Sequence, residues 1–435
     1  MELTPPTETI RTGHDWFDEA AMGLFVHWGI ASVRGDTELS WGMIEDRPWD
    51  DRDAVSAEEY WGLAEEFDPH SYAPDRWARA AREAGMSYAV LTARHHDGFS
   101  MWPTEYGEFG VAENLDGRDL VGEFADACRR QGIQVGLYYS PRDWHHPDYP
   151  GSPGSYGELP DEVPPTPEGM AERESYHRYV TGQVEELLTR YRPDLLWFDG
   201  YWPVETSGDA ELYDVVRAAD SEIVVNDRGG ASILGDYQTY ECDFPERPPS
   251  EPWELCQIWT GGPGGTWGHV DGETYESHSW TVDLLARTVG WGGTLLLNVG
   301  PLSDGRLPEG ARDRLRKLAD WHAANEPSVR DVRPGPWPPQ CDRPVTRSAD
   351  GRVWYVHLLD RTSGRVTVRN VPEPRALTVL RDGTAVPFEY ERSRPSGGGA
   401  VRVELPVDGV EALDVLAVTW DDPPRDDPDG LGRPR

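Results

Sequence analysis

The chain has 435 residues, of which 78 are Asp or Glu and 41 are Lys or Arg, so its formal net charge is −37. A surface this acidic repels nucleic acid and anionic membranes, which argues against functions that need either partner. Apolar residues make up 37 % of the chain, enough for a sizeable core. No apolar run approaches the roughly 18 residues that a membrane-spanning helix needs.

The charged residues also suggest the environment of the protein. Lys317 is the single lysine, and all other basic residues except histidine are arginine. An acidic, arginine-biased chain is typical of a host with a salt-rich cytoplasm and a GC-rich genome, because strong salt screens self-repulsion to a Debye length of ~3 Å at 1 M. The alternative is an acidic protein whose codons merely favour arginine.

The start of the chain and its cysteines bear on location. Residues 1–19 contain no apolar stretch of the kind found in secretory signals. The four cysteines, Cys128, Cys242, Cys256 and Cys341, show no paired spacing, so we predict no disulfide framework. We therefore expect a cytoplasmic protein.

Eight short apolar segments recur along the first 300 residues and predict strands. Each is a continuous hydrophobic run, which is typical of parallel strands buried on both faces. They are residues 22–29, 86–93, 133–140, 194–200, 222–228, 237–241, 253–259 and 293–300. Amphipathic helices are predicted between many of them, most clearly over 174–191, where apolar residues recur every three or four positions.

Alternating strands and helices predict an α/β fold, an irregular (β/α)8 TIM-like barrel over residues 1–330. Irregularity is expected at 222–259, which is too short for full helices between its strands. A doubly wound sheet is the alternative. No GxGxxG motif follows a strand, so nucleotide binding is not favoured. The Pro/Gly-rich insertion 141–172 follows a strand, where the site loops of a barrel are built.

A second, smaller domain is predicted after the barrel. Residues 328–344 are rich in proline and resemble a linker. Short strands at regular spacing then predict a small antiparallel β-sandwich domain over residues 340–421. The acidic, Pro-rich tail 422–435 is expected to be disordered.

Polar residues gather where the predicted strands end. In a barrel the carboxyl ends of the strands form the catalytic edge, so these side chains are expected to meet. They are His27, His95-His96-Asp97, Tyr138-Tyr139-Ser140, Asp199, Asn226-Asp227-Arg228 and Glu241. The stretch LLWFDGYW ends in Asp199, and the aromatic residues around it favour a water-poor pocket rather than a plain Asp-Gly turn.

Two carboxylates across such a pocket would suit glycoside hydrolysis, in which one attacks the anomeric carbon and the other protonates the leaving oxygen. Asp199 is the best candidate for the nucleophile. The acid must have a raised pKa and hence a shielded site. Glu241, Asp243, Glu246 and Glu254 all qualify, and composition does not choose among them.

Adjacent histidines also invite a metal interpretation. Neighbouring residues on an extended chain point to opposite faces, so neither His95-His96 nor His145-His146 is expected to chelate alone. Zinc needs three or four convergent ligands. We therefore predict no metal and no cofactor.

Several motifs together resemble glycoside hydrolase family 29, the retaining α-L-fucosidases. They run in order from about residue 16 to 326: MGLFVHWGI, LTARHHDGFSMW, GRDLVGEFADACRRQGIQVGLYYSPRDWHHPDY, LLWFDGYW, VVNDR and GGTLLLNVGPLSDGRLP. The resemblance implies a (β/α)-barrel-like catalytic domain followed by a β-sandwich. It also implies a retaining exo-glycosidase that acts on α-L-fucosides through a glycosyl-aspartate intermediate.

Residue by residue, the resemblance implies Asp199 as nucleophile and Glu241, in YQTYECD, as acid/base, with Glu254 in reserve. It assigns substrate binding to His27, Trp41, His95, His96, Tyr139, Trp197 and Arg228. The implied partner is a small carbohydrate, with neither nucleic acid nor membrane. Assembly into a homo-oligomer is left open.

The sequence departs from the family pattern after the first strand. Many relatives carry Glu-Trp there, whereas this chain has Ser40 before Trp41. Glu38 would substitute only if the loop bends. The departure leaves a related sugar such as an α-L-galactoside as an alternative substrate. A non-catalytic carbohydrate-binding barrel is a further alternative, which would show itself by loss of one carboxylate.

Overall fold

The computed structural model describes residues 15–149, 151, 153–154, 167–200, 208–229, 235–261, 265–359, 364–393, 398–405 and 407–425. Several predictions fall wholly or partly outside these ranges. They concern the chain start up to residue 14, Tyr201 and Trp202, most of 150–166 in the insertion, and the tail from residue 426.

The core element is an eight-stranded parallel sheet, and all eight predicted strands are confirmed. The strands are β1 (Met22–Val26), β2 (Tyr88–Arg94), β3 (Gln134–Tyr139), β4 (Leu195–Phe198), β5 (Val224–Val225), β6 (Gln238–Glu241), β7 (Trp253–Ile258) and, after the short antiparallel pair β8 (Thr260–Gly261) and β9 (Thr274–Tyr275), β10 (Thr294–Val299). Their spatial order is β5-β4-β3-β2-β1-β10-β7-β6. A doubly wound sheet is therefore not observed, because the order runs once around the strands without a reversal.

The sheet curls so that its inner face meets itself. Phe25 on β1 contacts Trp197 on β4 with ring centroids 5.1 Å apart, although these strands are not neighbours. The two edge strands also approach each other, because Asn226 and Tyr237 form a parallel bridge. Every second residue of a strand points into the interior enclosed by the sheet, and the residues between them face the helices.

Helices follow most of the parallel strands. They are α1 (Asp15–Asp18), α2 (Ala57–Gly62), α3 (Pro74–Glu83), α4 (Val111–Asn114), α5 (Leu120–Gln131), α6 (Pro167–Tyr191), α7 (Gly208–Ala219), α8 (His278–Gly290) and α9 (Glu309–Asn325). Short 3-10 helices lie at Ile30–Val33, Ser40–Met43, Leu63–Glu65 and Glu326–Ser328. The predicted apolar stripe of α6 is confirmed, since Tyr176, Val180, Val184, Leu187 and Leu188 are buried.

Local sequence explains where these helices begin and end. The carboxylate of Asp119 caps α5 by accepting from the backbone N–H of Gly122 at 2.8 Å. Gly132 ends the same helix with a φ of +68°, a left-handed conformation that glycine adopts without strain.

Antiparallel strands follow the parallel sheet. One sheet contains β11 (Val332–Pro334), β12 (Val345–Ser348), β13 (Val353–His357), β18 (Val415–Thr419) and β15 (Ala376–Val379), and another contains β14 (Gly364–Val371), β17 (Gly399–Leu405) and β16 (Glu389–Arg392). Side chains of both sheets share one core that includes Trp354, Val368, Val401 and Leu416. Strand β11 precedes residue 340, so the first of these sheets recruits residues before the predicted sandwich. Among the helices of the described ranges, none combines the length and apolar character needed to cross a membrane.

Candidate active site

Asp199 is the residue on which the strand-end side chains converge. It lies directly after β4, and its Oδ2 accepts a hydrogen bond from the Tyr138 hydroxyl at 2.9 Å. Its Oδ1 accepts from Nη2 of Arg228 at 2.7 Å and from the backbone N–H of Gly200 at 2.9 Å. Nε2 of His96 lies 3.8 Å from Oδ2. Both carboxylate oxygens are therefore held from several strands at once.

Gly200 permits this approach. Its φ is +80°, and a Cβ there would lie 3.1 Å from Cε1 of His96. The Asp-Gly pair is thus a turn, as its sequence suggests, but the turn delivers Asp199 into a buried cluster.

The charge state of Asp199 follows from its neighbours. Burial by itself raises the pKa of a carboxyl group. Here the Arg228 guanidinium outweighs burial through charge attraction and hydrogen bonding, so the pKa of Asp199 lies below its ordinary value. Asp199 is therefore ionised at neutral pH.

Arg228 contacts a second carboxylate as well. Its Nη1 lies 2.8 Å from Oε2 of Glu241, the last residue of β6, whose side chain is 40 % exposed. Shielding from water raises the pKa of Glu241, and the negative charge of Asp199 raises it further, although Arg228 opposes both effects. One guanidinium thus joins two carboxylates whose pKa values are displaced in opposite directions.

Three buried histidines surround the acid. Nδ1 of His27 donates to Oδ1 of Asn298 at 2.7 Å. Nδ1 of His95 pairs with Oγ of Ser40 at 2.5 Å, and Nδ1 of His96 pairs with Oγ of Ser140 at 2.7 Å. Each imidazole is therefore oriented through the same ring nitrogen, which leaves Nε2 for other contacts.

These histidines are neutral at physiological pH. Burial lowers the pKa of His27 to about 4 and that of His96 to about 3, and it lowers the pKa of His95 well below 6.5. Neutral imidazoles suit hydrogen bonding to an uncharged ligand such as a sugar hydroxyl.

The expectation that His95 and His96 point to opposite faces is wrong. Their ring centroids lie 4.2 Å apart, because β2 ends at Arg94 and the pair occupies the turn that follows.

Within the described residues, His95, His96 and Asp199 are the group that could hold a metal ion, because their ligand atoms lie within 4.8 Å of one another. Both oxygens of Asp199 already accept hydrogen bonds from Tyr138 and Arg228.

The expectation for Tyr139 requires a correction. Its hydroxyl donates to Oε1 of Gln183 on α6 at 3.0 Å, and the guanidinium of Arg94 lies 4.4 Å from its ring centroid. Tyr139 therefore faces the helices, and its neighbour Tyr138 faces Asp199. The physical reason is strand alternation, since adjacent residues of β3 point to opposite sides of the sheet.

Aromatic side chains border the cluster on two sides. Trp41 meets the ring of His96 edge to face at 5.3 Å, and Trp144 meets the same ring at 5.4 Å. Trp197 lies below, stacked on Tyr138 with ring centroids 5.6 Å apart and an angle of 17° between the planes. It is 2 % exposed, so it forms the floor of the cluster rather than an open wall.

The other acidic candidates lie elsewhere. Glu254 is fully buried inside the sheet, where it accepts hydrogen bonds from Tyr88 and Trp197. Asp243 and Glu246 lie in the loop after β6, with no bond to Asp199 among the described contacts. Of the four glutamate and aspartate candidates for the acid, Glu241 is the one that shares a partner with Asp199.

Ser40 and Glu38 are both too buried to reach a ligand directly. Ser40 is 0 % exposed, and besides pairing with His95 its hydroxyl accepts from the backbone N–H of Asp97 at 2.9 Å. Glu38 is 2 % exposed and accepts from the backbone N–H of Trp267 at 2.8 Å. Ser40 therefore supports His95 and offers no contact group of its own.

Sequence reasoning missed Asn298 and Trp267. Asn298 orients His27 and donates through Nδ2 to the carbonyl of Trp267 at 2.6 Å. The ring centroid of Trp267 lies 5.0 Å from that of His27. A lone polar residue inside the apolar run TLLLNV was the signal for Asn298, whereas Trp267 sits in a loop and carried none.

The chain is similar to known alpha-L-fucosidases in sequence and in structure. The sequence model of the family described as alpha-L-fucosidase matches residues 2–327. The tissue alpha-L-fucosidase of Mus musculus is 32 % identical over 378 residues, covering 81 % of this chain and 78 % of that protein. The alpha-L-fucosidase of Branchiostoma floridae is 30 % identical over 425 residues, covering 90 % and 88 % respectively. Alpha-L-fucosidase isoenzyme 1 from Paenibacillus thiaminolyticus has a similar structure, with a TM-score of 0.77 and 27 % identity over 94 % of this chain and 99 % of that one.

Proposed function

The chain belongs to the alpha-L-fucosidase family, glycoside hydrolase family 29, and we propose that Asp199 and Glu241 carry out its reaction by double displacement. The protein is a glycoside hydrolase that acts on α-L-fucosides. The observation that carries the residue assignment is the contact of a single guanidinium, Arg228, with both carboxylates, at 2.7 Å to Asp199 and 2.8 Å to Glu241.

In the first step, ionised Asp199 attacks the anomeric carbon while Glu241 gives its proton to the leaving oxygen. The glycosyl–aspartate ester then forms and the alcohol departs. In the second step, Glu241 takes a proton from water, whose oxygen attacks the same carbon and releases Asp199. The two successive inversions retain the configuration at the anomeric carbon. Retaining enzymes hold their two carboxyl groups ~5–5.5 Å apart, so that one of them attacks this carbon directly.

The electrostatics support this division of roles. Arg228 keeps Asp199 ionised, and the resulting negative charge helps to keep Glu241 protonated. Once Asp199 is esterified its charge disappears, so the pKa of Glu241 falls and the group becomes the base that the second step needs.

The sugar is proposed to bind among neutral donors and acceptors. His27, His95 and His96 offer oriented imidazoles, and Trp41 offers an aromatic edge beside His96. Trp197 supports this pocket from below. Arg228 binds the two carboxylates, and we propose that it also donates a hydrogen bond to a ring hydroxyl. An α-L-galactoside remains the alternative substrate, since Ser40 stands where many relatives have a glutamate.

The closure of the barrel is a further proposal. A closed, irregular (β/α)8 barrel fits the parallel bridge between Asn226 and Tyr237, and we infer that this bridge closes it. The domain limits 1–330 and 340–421, the cytoplasmic location and any homo-oligomer stay predictions.

The decisive experiment compares Asp199→Ala and Glu241→Ala on nitrophenyl glycosides. Asp199→Ala should hydrolyse nitrophenyl α-L-fucoside barely above background, and a rate near that of the unmodified enzyme would refute the assignment. Glu241→Ala should lose most activity on poor leaving groups and regain turnover with azide, which needs no general base. A panel with α-L-galactoside and other sugars decides the substrate, because only the favoured glycoside should release nitrophenol rapidly.

A further inference from the structure

Glu254 is a buried carboxylate for which the proposed reaction has no use. It is the second residue of β7 and is 0 % exposed. Its Oε2 accepts from the Tyr88 hydroxyl at 2.5 Å, and its Oε1 accepts from Nε1 of Trp197 at 2.8 Å and from the Tyr237 hydroxyl at 3.4 Å. These donors are uncharged and belong to β2, to β4 and to the residue before β6. The carboxylate on β7 therefore connects β2, β4 and the start of β6 across the interior.

Trp197 connects this carboxylate with the reacting groups. Residues 197 and 199 are two apart, so both side chains point inward from the end of β4. The indole stacks on Tyr138, and the guanidinium carbon of Arg228 lies 5.1 Å from its ring centroid. Among the residues that the structure describes, Tyr138 and Arg228 are the two side chains that hydrogen-bond to Asp199. The indole is thus a shared platform under both partners of Asp199.

We propose that Glu254 is a positioning residue, which fixes the indole of Trp197 and through it the two side chains that orient Asp199. The indole has a single polar atom, Nε1, and Glu254 holds it. Without that bond packing alone fixes the ring about its side-chain torsions, so the platform under Tyr138 and Arg228 is less precisely placed. This inference rests on the proposed function, and it removes Glu254 from the list of acid/base candidates because a fully enclosed carboxyl group cannot reach a glycosidic oxygen.

The electrostatics of Glu254 agree with this role. Burial raises its pKa to about 7, and the three donors hold the pKa from rising higher. A buried polar group with every oxygen paired rigidifies the surrounding packing, whereas loss of one partner leaves the other unsatisfied.

The test is Glu254→Gln, which preserves the shape but offers one acceptor oxygen in place of two. Tyr88 makes the shorter bond to Glu254, at 2.5 Å against 2.8 Å for Trp197, so we expect Tyr88 to take that oxygen and the indole N–H of Trp197 to lose its partner. We expect kcat on nitrophenyl α-L-fucoside to fall by roughly 10²-fold, the scale of a misplacement by about 1 Å, with KM unchanged. The loss should be the same for aryl fucosides of good and poor leaving groups, and azide should not restore turnover. A kcat equal to that of the unmodified enzyme overturns the proposal.

A double-mutant cycle with Trp197→Phe isolates the bond. Because both changes break the same contact, the double variant should be no slower than Trp197→Phe alone. If the fold-losses in kcat of the two single variants multiply in the double variant, the proposal is overturned. Tyr237→Phe is the matched control, since it removes only the 3.4 Å bond and should keep kcat close to normal. If Glu254→Gln fails to fold, Trp197→Phe tests the contact from its other end, and full kcat in that variant overturns the inference.

The outcomes also separate this inference from the proposed function. Azide rescue of Glu254→Gln would make Glu254 the acid/base and overturn both assignments. Failure of azide to rescue Glu241→Ala, together with the expected behaviour of Glu254→Gln, would overturn the role of Glu241 and support that of Glu254.

Discussion

The hydroxyl of Tyr138 donates to Oδ2 of Asp199 at 2.9 Å, so a tyrosine from β3 holds the oxygen that Arg228 does not. This bond stabilises the ionised carboxylate and orients its lone pairs. The next residue, Tyr139, has the same chemistry but faces α6. The pair therefore provides an internal comparison between a tyrosine inside the site and one outside it.

Tyr138→Phe should lower kcat/KM, because a hydrogen bond to a charged group is worth about 1.5–3 kcal/mol, or roughly 10- to 150-fold in rate. Tyr139→Phe is the matched control and should keep kcat/KM close to the normal value. Steady-state kinetics on nitrophenyl α-L-fucoside measures both. Equal losses in the two variants would contradict the placement of Tyr138.

Arg228→Met should displace the pH profile of kcat/KM toward higher pH. Arg228 lowers the pKa of Asp199, so its loss raises that pKa and the acidic limb moves up. Arg228 also opposes the rise in the pKa of Glu241, so its loss moves the basic limb up as well.

Arg217→Met is the control for this profile. Arg217 pairs with Asp236 at 2.6 Å, away from Asp199, so both limbs should stay in place. An unchanged profile in Arg228→Met would show that the guanidinium does not govern the two carboxylates.

Arg94→Met should destabilise the fold strongly. Arg94 is 0 % exposed and lies 3.4 Å from Oδ2 of Asp143, whose other oxygen accepts from the backbone N–H of His145 at 2.9 Å. Removing one partner of a buried pair leaves an uncompensated charge, which costs about 3–5 kcal/mol. Urea unfolding measures the free energy of unfolding.

The control is the exposed pair of Arg130 with Asp75, where water screens the interaction and Arg130→Met should leave the free energy of unfolding almost unchanged. Arg94→Met/Asp143→Leu removes both charges and should recover part of the lost stability. If Asp143→Leu lowers the free energy of unfolding as much in the Arg94→Met background as it does alone, the two side chains do not act as a pair.

Salt should stabilise the protein. A formal net charge of −37 makes the folded surface repel itself in dilute solution, and added salt screens this repulsion. The melting temperature should therefore rise between ~0.1 M and ~3 M KCl. A melting temperature that does not change across the series would contradict the hypothesis that the host has a salt-rich cytoplasm.

The sequence by itself determined the order of the elements, because continuous apolar runs and amphipathic stripes are local patterns that follow from backbone geometry. It also located Asp199, since a carboxylate directly after a buried strand must lie at the edge of the sheet. The tertiary structure decided what local patterns do not contain. Which of Tyr138 and Tyr139 faces inward depends on which side of β3 forms the inner face of the curled sheet. The contact of Arg228 with both Asp199 and Glu241 brings together side chains from three strands. The enclosure of Glu254 depends on how far the sheet curls, a property of all eight strands acting together.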